Sequence, residues 1–372
     1  MNSKILPCIF FFLPLFGQGQ TPEKDRKIVF PDIPGYLTLK CELHIHSVFS
    51  DGNVWPTVRV QESQKDGIDA MAVTEHLEYQ PHKEDIPHPD RNRAFILSEA
   101  AAKGTDLLVI RGSEITRSMP PGHANAIFIE DANKLIDDDV KKVYKEAKKQ
   151  GAFIFWNHPN WYSQQPDGVA TLSDLHKELI KGGMLHGIEI ANSGTYSEEA
   201  HRLALENNLT ILGTSDIHGL IDWDYDITGG GHRPVTLVFS KTRDQEGLRE
   251  ALFAGRTAVW FRNSLIGKEE LVVPLVKASV NVKSATYLGK SSVLSVTLEN
   301  KSDVEYILSN VSQYDFYSHD DLLVLKPNQE TTFSVMPREK LKEIELKMEA
   351  LNVTTTPDHH PVITFTINTT DK

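Results

Sequence analysis

Cysteine is scarce in this chain, with two residues in 372, Cys8 and Cys41. Cys8 lies in the opening stretch "MNSKILPCIFFFLPLFGQGQ", so a chain processed after that stretch keeps Cys41 alone. A single thiol excludes an intramolecular disulfide and a thiolate-rich metal site. Positive charge is also short, at 39 Lys and Arg against 51 Asp and Glu, for a formal net charge of −12. That balance argues against nucleic acid as the main partner and requires any anionic substrate to meet a local positive site. Beyond the first residues there is no long apolar run. The early one, Ile5 to Phe16, is too short and too interrupted by proline to span a bilayer. Preceded by Lys4 and followed by small and polar residues, it reads as a secretory signal, residues 1–19, with cleavage near Gly19. The expected product is an exported protein, periplasmic or extracellular, with no transmembrane segment and a charge of −13 once Lys4 is removed.

The remaining composition, 40% hydrophobic and 24% charged, is that of an ordinary globular protein with room for two domains. From about residue 37 to 260, short β-type runs alternate with helical ones. Strands are expected at 39–46, 68–74, 107–114, 124–129, 152–156, 187–191, 210–214 and 235–239, with helices at 57–65, 91–102, 133–150, 173–181, 197–207 and 244–254. This alternation predicts an α/β fold, a parallel barrel or doubly wound sheet, and specifically a distorted (β/α)7-type barrel over 20–265. After Phe261 the texture changes. "ASVNVKSATYL", "SSVLSVTLEN", "TTFSVMP" and "VITFTIN" alternate apolar and polar residues, with one helix expected near Lys340. They predict a small all-β sandwich-like domain over 266–372, joined to the barrel around 266–273.

Potential metal ligands fall at the strand ends. "CELHIHSVFSDG" places His44 and His46 two apart on one strand face and Asp51 just beyond. "AVTEHLEY" supplies His76, "VIRGSEITRSMPPGHANAIF" supplies Glu114 and His123, "FIFWNHPNW" supplies His158, and "LGTSDIHGL" supplies Asp216 and His218. The C-terminal strand ends of a barrel form one mouth, which would collect all of them. Imidazole and carboxylate without thiolate suit Zn, Mn or Fe, and nine candidates exceed what one ion uses, so two or three divalent ions are expected.

This ordered set of motifs, across about residues 38–260, resembles the PHP (polymerase and histidinol phosphatase) family of metal-dependent phosphoesterases. The resemblance implies one ion at His44, His46, Glu114 and Asp216, a second at Glu114, His123 and His158, and a third at Asp51, His76 and His218. Some members of the family carry His where Asp51 stands here. "EITRSMPPGHAN" and "GGGHRPVTLVF" further resemble an exported phosphodiesterase branch, and the C-terminal region lies outside the match. The implied activity is attack of a metal-activated water on a small phosphate ester, diester favoured over monoester.

Around the ligands, Arg117 and Arg233 are candidate phosphate clamps and His232 a candidate proton donor to the leaving oxygen. His82 and His88 are expected in a solvated loop, His176, His186 and His201 at the surface, and Trp156 and Trp161 as packing residues, Trp161 with access to the mouth. Two other functional classes fit less well. Barrel hydrolases of C–N or carboxylic ester bonds commonly bridge their metals with a strand-end Lys, and Glu114 holds that place here. A non-catalytic metal- or glycan-binding exported protein would have an inert barrel with the β domain making the contacts, and a ligand set from which nothing is missing argues against it. Oligomeric state is not encoded in any readable motif.

Overall fold

The computed structural model describes residues 26–317 and 320–371, so the expected signal and its cleavage near Gly19 lie outside the described residues. The first strand, β1 (Leu37–Glu42), buries Leu39 and Cys41 on one face and Glu42 on the other, as befits a strand covered on both sides. The chain continues through α1 (Pro56–Lys65), β2 (Ala70–Val73), α2 (Arg93–Ala102), β3 (Leu108–Ile115), β4 (Ala124–Ile127), α3 (Val140–Lys149) and β5 (Phe153–Trp156). It then forms α4 (Asp174–Lys181), β6 (Gly187–Asn192), β7 (Thr195–Tyr196), α5 (Glu198–Asn207), β8 (Thr210–Thr214), α6 (Ile221–Asp224), β9 (Val235–Ser240), α7 (Gln245–Phe253), β10 (Thr257–Phe261) and β11 (Ser264–Gly267).

These strands form one curled sheet in the order β11-β10-β9-β1-β2-β3-β4-β5-β6-β7, with β8 against β6. The pairings β1–β2–β3 and β5–β6–β8 are parallel. The sheet is nevertheless mixed where a wholly parallel one was expected: β4 runs antiparallel to β3 and β5, and β9 to β1 and β10. The loop from Ile115 to Ala124 carries no helix to cross the sheet, so the chain can only turn back on itself. Beside β1 the barrel closes between β8 and the β9–β10 pair through side chains, and backbone bonds from Asp216 N to His44 O and from His46 N to Ile217 O join the segments that follow β8 and β1. Thr236 Oγ1 accepts from Gly213 N at 3.0 Å and donates to Gly213 O at 2.8 Å, and Thr257 Oγ1 donates to Ile211 O at 2.8 Å. Gly213 permits the approach, since a β-carbon there would stand 2.3 Å from Val259 Cγ1.

The expected helix 133–150 is one helical turn, Ala132–Leu135, followed by α3, because Asp139 accepts from Lys141 N and starts the helix afresh. A helix not foreseen, α8 (Glu269–Ser279), follows β11 despite Pro274 in its interior, and buries Leu271, Val272, Leu275 and Val276. The second region comprises β12 (Val280–Tyr287), β13 (Leu294–Asn300), β14 (Tyr306–Asn310), β15 (Asp315–Phe316), β16 (Leu322–Leu325), β17 (Glu330–Met336), β18 (Glu343–Ala350), β19 (Val353–Thr354), β20 (Val362–Asn368) and β21 (Thr370–Asp371). They make two sheets, β15-β17-β13-β12-β21 and β16-β14-β18-β20. The helix expected near Lys340 is absent. Ile344, Leu346, Met348 and Ala350 repeat every second residue, and this period of two, buried against β20, yields β18 instead.

The two regions are joined by more than the chain. β19 adds in parallel to β11, pairing Leu265 with Val353, and one apolar cluster runs from the barrel through Val272 and Val276 into Leu298 and Leu346.

Candidate metal centre

Strand geometry brings all nine sequence-predicted ligands to one place. Glu42, His44 and His46 alternate inward from β1 and its extension, and His44 and His46 are fully buried. Their Nε2 atoms lie 3.1 Å apart, and Asp216 Oδ1 stands 3.2 Å from the first and 3.1 Å from the second. Glu114, at the end of β3, reaches His44 Nε2 at 3.7 Å and His46 Nε2 at 3.4 Å with Oε2. The same oxygen lies 2.7 Å from His76 Nδ1, while Oε1 faces His123 Nδ1 at 3.0 Å and His158 Nε2 at 3.5 Å. Asp51 turns back through its Asp-Gly bend to His76 Nε2 at 3.3 Å and His218 Nε2 at 3.1 Å. Donor atoms gather as His44–His46–Glu114, as His76–Glu114–His123, and as His46–Asp51–His76–His218, all within 4.8 Å in each group.

The arrangement suits cations better than it suits itself. Glu114 Oε2 and Asp51 Oδ1 are buried beside imidazoles without making a well-formed hydrogen bond, and His158 Nδ1 is likewise unpartnered. The His46 ring lies nearly parallel to those of His76 and His218, at 4.5 and 4.4 Å, an approach unfavourable for protonated rings. Burial alone would lower the pKa of His44, but Asp216, Glu189 and Glu114 outweigh it and hold it well above its ordinary value. For His76, Glu114 and Asp51 overcome burial and raise it to about 10. His46 goes the other way, to about 3, through burial and the neighbouring His76. Glu114 and Asp216 are held well below the usual carboxylate range, the surrounding imidazoles prevailing over burial. So many mutually dependent charges in a buried site are what divalent cations relieve. His158 (φ 29°) and Asp216 (φ 51°) occupy left-handed backbone, strained for residues with a β-carbon and held by the surrounding structure.

Behind the ligands stand residues that hold them: Glu75 and Asn157, which the sequence already places at strand ends beside His76 and His158, and Glu189, which it does not single out. Glu189, buried in β6, takes His44 Nδ1 at 2.7 Å, accepts from His158 N at 2.6 Å and from Thr214 Oγ1 at 2.6 Å, and so orients two ligands. Its only signal is a carboxylate inside the apolar run "GIEIA". Glu75, beside His76, binds Ser47 and Ser50 and ties down the turn leading to Asp51. Asn157 Nδ2 donates to Glu114 Oε1 at 2.8 Å.

The other candidates stand elsewhere. Arg117 turns from the cluster to Glu78, at 2.8 Å, and to the carbonyl of Asp137. Arg233 is buried and bound to Asp66, with Glu42 at 3.7 Å, since a guanidinium so enclosed needs carboxylate partners. His232 stacks on Trp260 with ring centroids 3.3 Å apart, and burial lowers it to about 4. It is therefore neutral at pH 7, and with Nδ1 donating to Arg233 O at 2.7 Å it keeps no proton for a leaving group. His88, expected in solvent, is buried against Phe49 O and Gln80 Oε1. His176 and His201, expected at the surface, are 1% exposed and help anchor α4 and α5 to the barrel. Trp156 is buried on His176, whereas Trp161, 44% exposed, edges His123 and His158.

Two clefts meet at the cluster. One, of about 620 Å³, is lined by His76, His123, His158, Trp161, Tyr162 and Tyr196. The other, of about 740 Å³, lies between the barrel and the second region and is walled by Trp260, Arg262 and Asn263 on one side and Asp303 and Glu305 on the other. Ser193, Gly194, Asp216 and His218 border both.

Fold and site together define a metal-dependent hydrolase of the barrel type with a C-terminal β domain. Comparison with known proteins names the family. A crystal structure of a two-domain protein containing a predicted PHP-like metal-dependent phosphoesterase, from Bacteroides vulgatus, is 42% identical, covering 94% of this chain and all of that one, with a TM-score of 0.85. The chain belongs to the PHP-like metal-dependent phosphoesterases. A metal-dependent phosphoesterase assignment also attaches to a Bifidobacterium adolescentis structure, 17% identical over 50% of this chain and 90% of that one. PsfC from Pseudomonas syringae is 16% identical over 65% and 96%. Their TM-scores, 0.39 and 0.42, are too low to bear on the site. A family model described as an Ig-like domain matches residues 280–366. No curated protein matches the chain.

Proposed function

We propose that the protein is an exported phosphoesterase that hydrolyses phosphodiesters in preference to monoesters, using two or three divalent ions of Mn, Zn or Fe at the nine clustered ligands. The diester preference rests on the paired clefts: a monoester has one substituent to house and a diester two, and both clefts border Asp216 and His218. Bound divalent ions would supply a water of lowered pKa and offset the charge of a phosphate approaching so acidic a chain.

The chain's own residues prepare that chemistry. Glu189 holds His44 by Nδ1 and leaves Nε2 facing the cluster, which keeps the ligand in its working orientation. Asn157 and His123 share Glu114 Oε1 and fix the carboxylate common to two of the three donor groups. Trp161 shields His123 and His158 from bulk solvent on the first cleft's side. Export rests on residues 1–19, and among the described residues no helix is long and apolar enough to cross a membrane.

The test is an assay of metal-reconstituted protein, with Mn and Zn compared, on bis(p-nitrophenyl) phosphate, p-nitrophenyl phosphate and p-nitrophenyl acetate. Faster turnover of the diester is expected. Preference for the monoester would make the protein a phosphatase, and activity on acetate alone would return it to the C–N and ester hydrolase class. The N-terminus of protein recovered from its host should begin near residue 20.

A further inference from the structure

Beside the divalent ions, a fixed cation would help to hold a phosphate on a chain of formal charge −12, and Arg117 and Arg233 are engaged elsewhere. Among the residues lining the two clefts, Arg262 is the single lysine or arginine. It sits in the turn between β10 and β11, where Arg262 (φ 44°) and Asn263 (φ 65°) both adopt left-handed backbone. The side chain is exposed, lies 5.3 Å from the Phe261 ring centroid, and makes no hydrogen bond or ion pair among the described residues. Nη2 comes close to Gly194, where a β-carbon would stand 3.3 Å from it. Gly194 borders both clefts along with Asp216 and His218. The guanidinium thus lies at the junction of the clefts. The carboxylates of Asp224, Asp226, Asp303 and Glu305 line the same interdomain cleft, which leaves Arg262 as its one guanidinium or ammonium group.

The turn is held from the second region. Asn263 Oδ1 accepts from Glu305 N at 2.8 Å, and Asn263 Nδ2 donates to Glu305 O at 3.0 Å. Asn352 Nδ2 donates to Asn263 O at 2.7 Å, next to the β11–β19 pairing. A two-residue turn tied by three hydrogen bonds from another domain fixes the backbone from which the Arg262 side chain extends.

Building on the phosphoesterase function proposed above, we infer that Arg262 is the substrate-binding residue that grips a phosphoryl oxygen with its planar fork, and that the Ig-like domain, through Glu305 and Asn352, positions it. The C-terminal domain is then part of the substrate site. Arg262 forms no bond to the reacting water or to a leaving group, so its loss should weaken binding far more than it slows chemistry.

The experiment uses the full-length metal-loaded protein. Inorganic phosphate is titrated by calorimetry, and bis(p-nitrophenyl) phosphate hydrolysis is followed on the same samples, for wild type, Arg262→Ala, Arg262→Lys and Asn352→Ala. Arg262→Ala should weaken phosphate binding and raise KM about tenfold with kcat within about threefold of wild type, and Arg262→Lys should recover part of the loss. Asn352→Ala should shift KM and phosphate affinity in the same direction by a smaller factor, with metal content unchanged. Unaltered phosphate affinity and KM in Arg262→Ala, with wild-type turnover intact, would overturn the role of Arg262 while leaving the phosphoesterase standing. Phosphate binding that still depends on Arg262 in a protein that cleaves no phosphate ester would uphold the anion site and overturn the proposed reaction. Wild-type behaviour of Asn352→Ala would remove the Ig-like domain from the site.

Discussion

The barrel mouth and the Ig-like domain treat polar residues in opposite ways. In the barrel, Glu42, Glu75, Glu114, Glu189, Arg59 and Arg233 are all buried, and two ligands sit in strained backbone. In the Ig-like domain the strands alternate in the simplest manner, as in β13 and β18, and among its described residues the buried polar ones are the uncharged Asn300, Ser302 and Thr355. Buried charges lose their hydration and are tolerable only when paired or bound to metal, so they weaken a fold unless a function requires them. The shared apolar cluster lets the second region support the first. In this molecule the chemistry and the supporting core are largely separate, meeting at the β11–β19 seam.

That contrast can be broken most sharply at the mouth. Asp216→Ala and His158→Ala should each reduce turnover by about a thousandfold or more, with circular dichroism unchanged and bound metal reduced; wild-type activity in either would contradict the metal centre. Next is Glu189→Gln, which removes the charge orienting His44 and should weaken metal affinity about 10- to 100-fold, measured by chelator competition, with turnover recovered at excess metal. In the Ig-like domain the effect should fall on stability instead. Leu346→Ala, emptying a fully buried site in β18, should cost about 2–5 kcal/mol in denaturant unfolding while kcat stays within about twofold.

Acid should act through the barrel. Burial lowers His201 to about 4, so the folded state keeps it neutral while the unfolded chain binds a proton below about 6.5. Its contribution is present above that pH and is lost as the pH falls toward 4. The stability of metal-loaded wild type should therefore drop between pH 7 and 4.5 by about 2 kcal/mol more than that of His201→Gln, compared by urea unfolding at both pH values. The smallest effect belongs to Arg117→Ala. Paired with Glu78 outside the clefts, it should leave KM for a phosphate ester unchanged and cost less than about 1 kcal/mol of stability. A raised KM would return Arg117 to the site.

How much was legible depended on whether the signal was local. The strand ends and the clustering of the nine candidate ligands could be read because these residues border apolar runs, and the (β/α) alternation states that such ends converge. The roles of Arg117, Arg233 and His232 could not be read, because a long arginine side chain can turn either way from its loop until the surrounding carboxylates decide, and an imidazole is committed only by what it packs against, here Trp260. Glu189 was hidden for a related reason: a carboxylate inside an apolar strand has no meaning until the opposite strand brings His44 to it. The helix 269–279 escaped notice because Pro274 interrupts its pattern, and it forms because its apolar face is buried between the two regions.

By itself, then, the sequence determined the strands through their hydrophobic period, the order of the two regions, and the kinds of atoms offered to metal. Burial in a strand and its periodicity are properties of neighbouring residues, and so is the reach of an Asp-Gly turn. Only the tertiary structure decided which polar groups share the mouth, which arginine is left facing the clefts, and that Glu305 and Asn352 hold the turn that carries it. Those outcomes depend on contacts between residues far apart in the chain, such as Asn263 and Asn352, and on the low polarity of the interior, which makes every buried charge choose a partner.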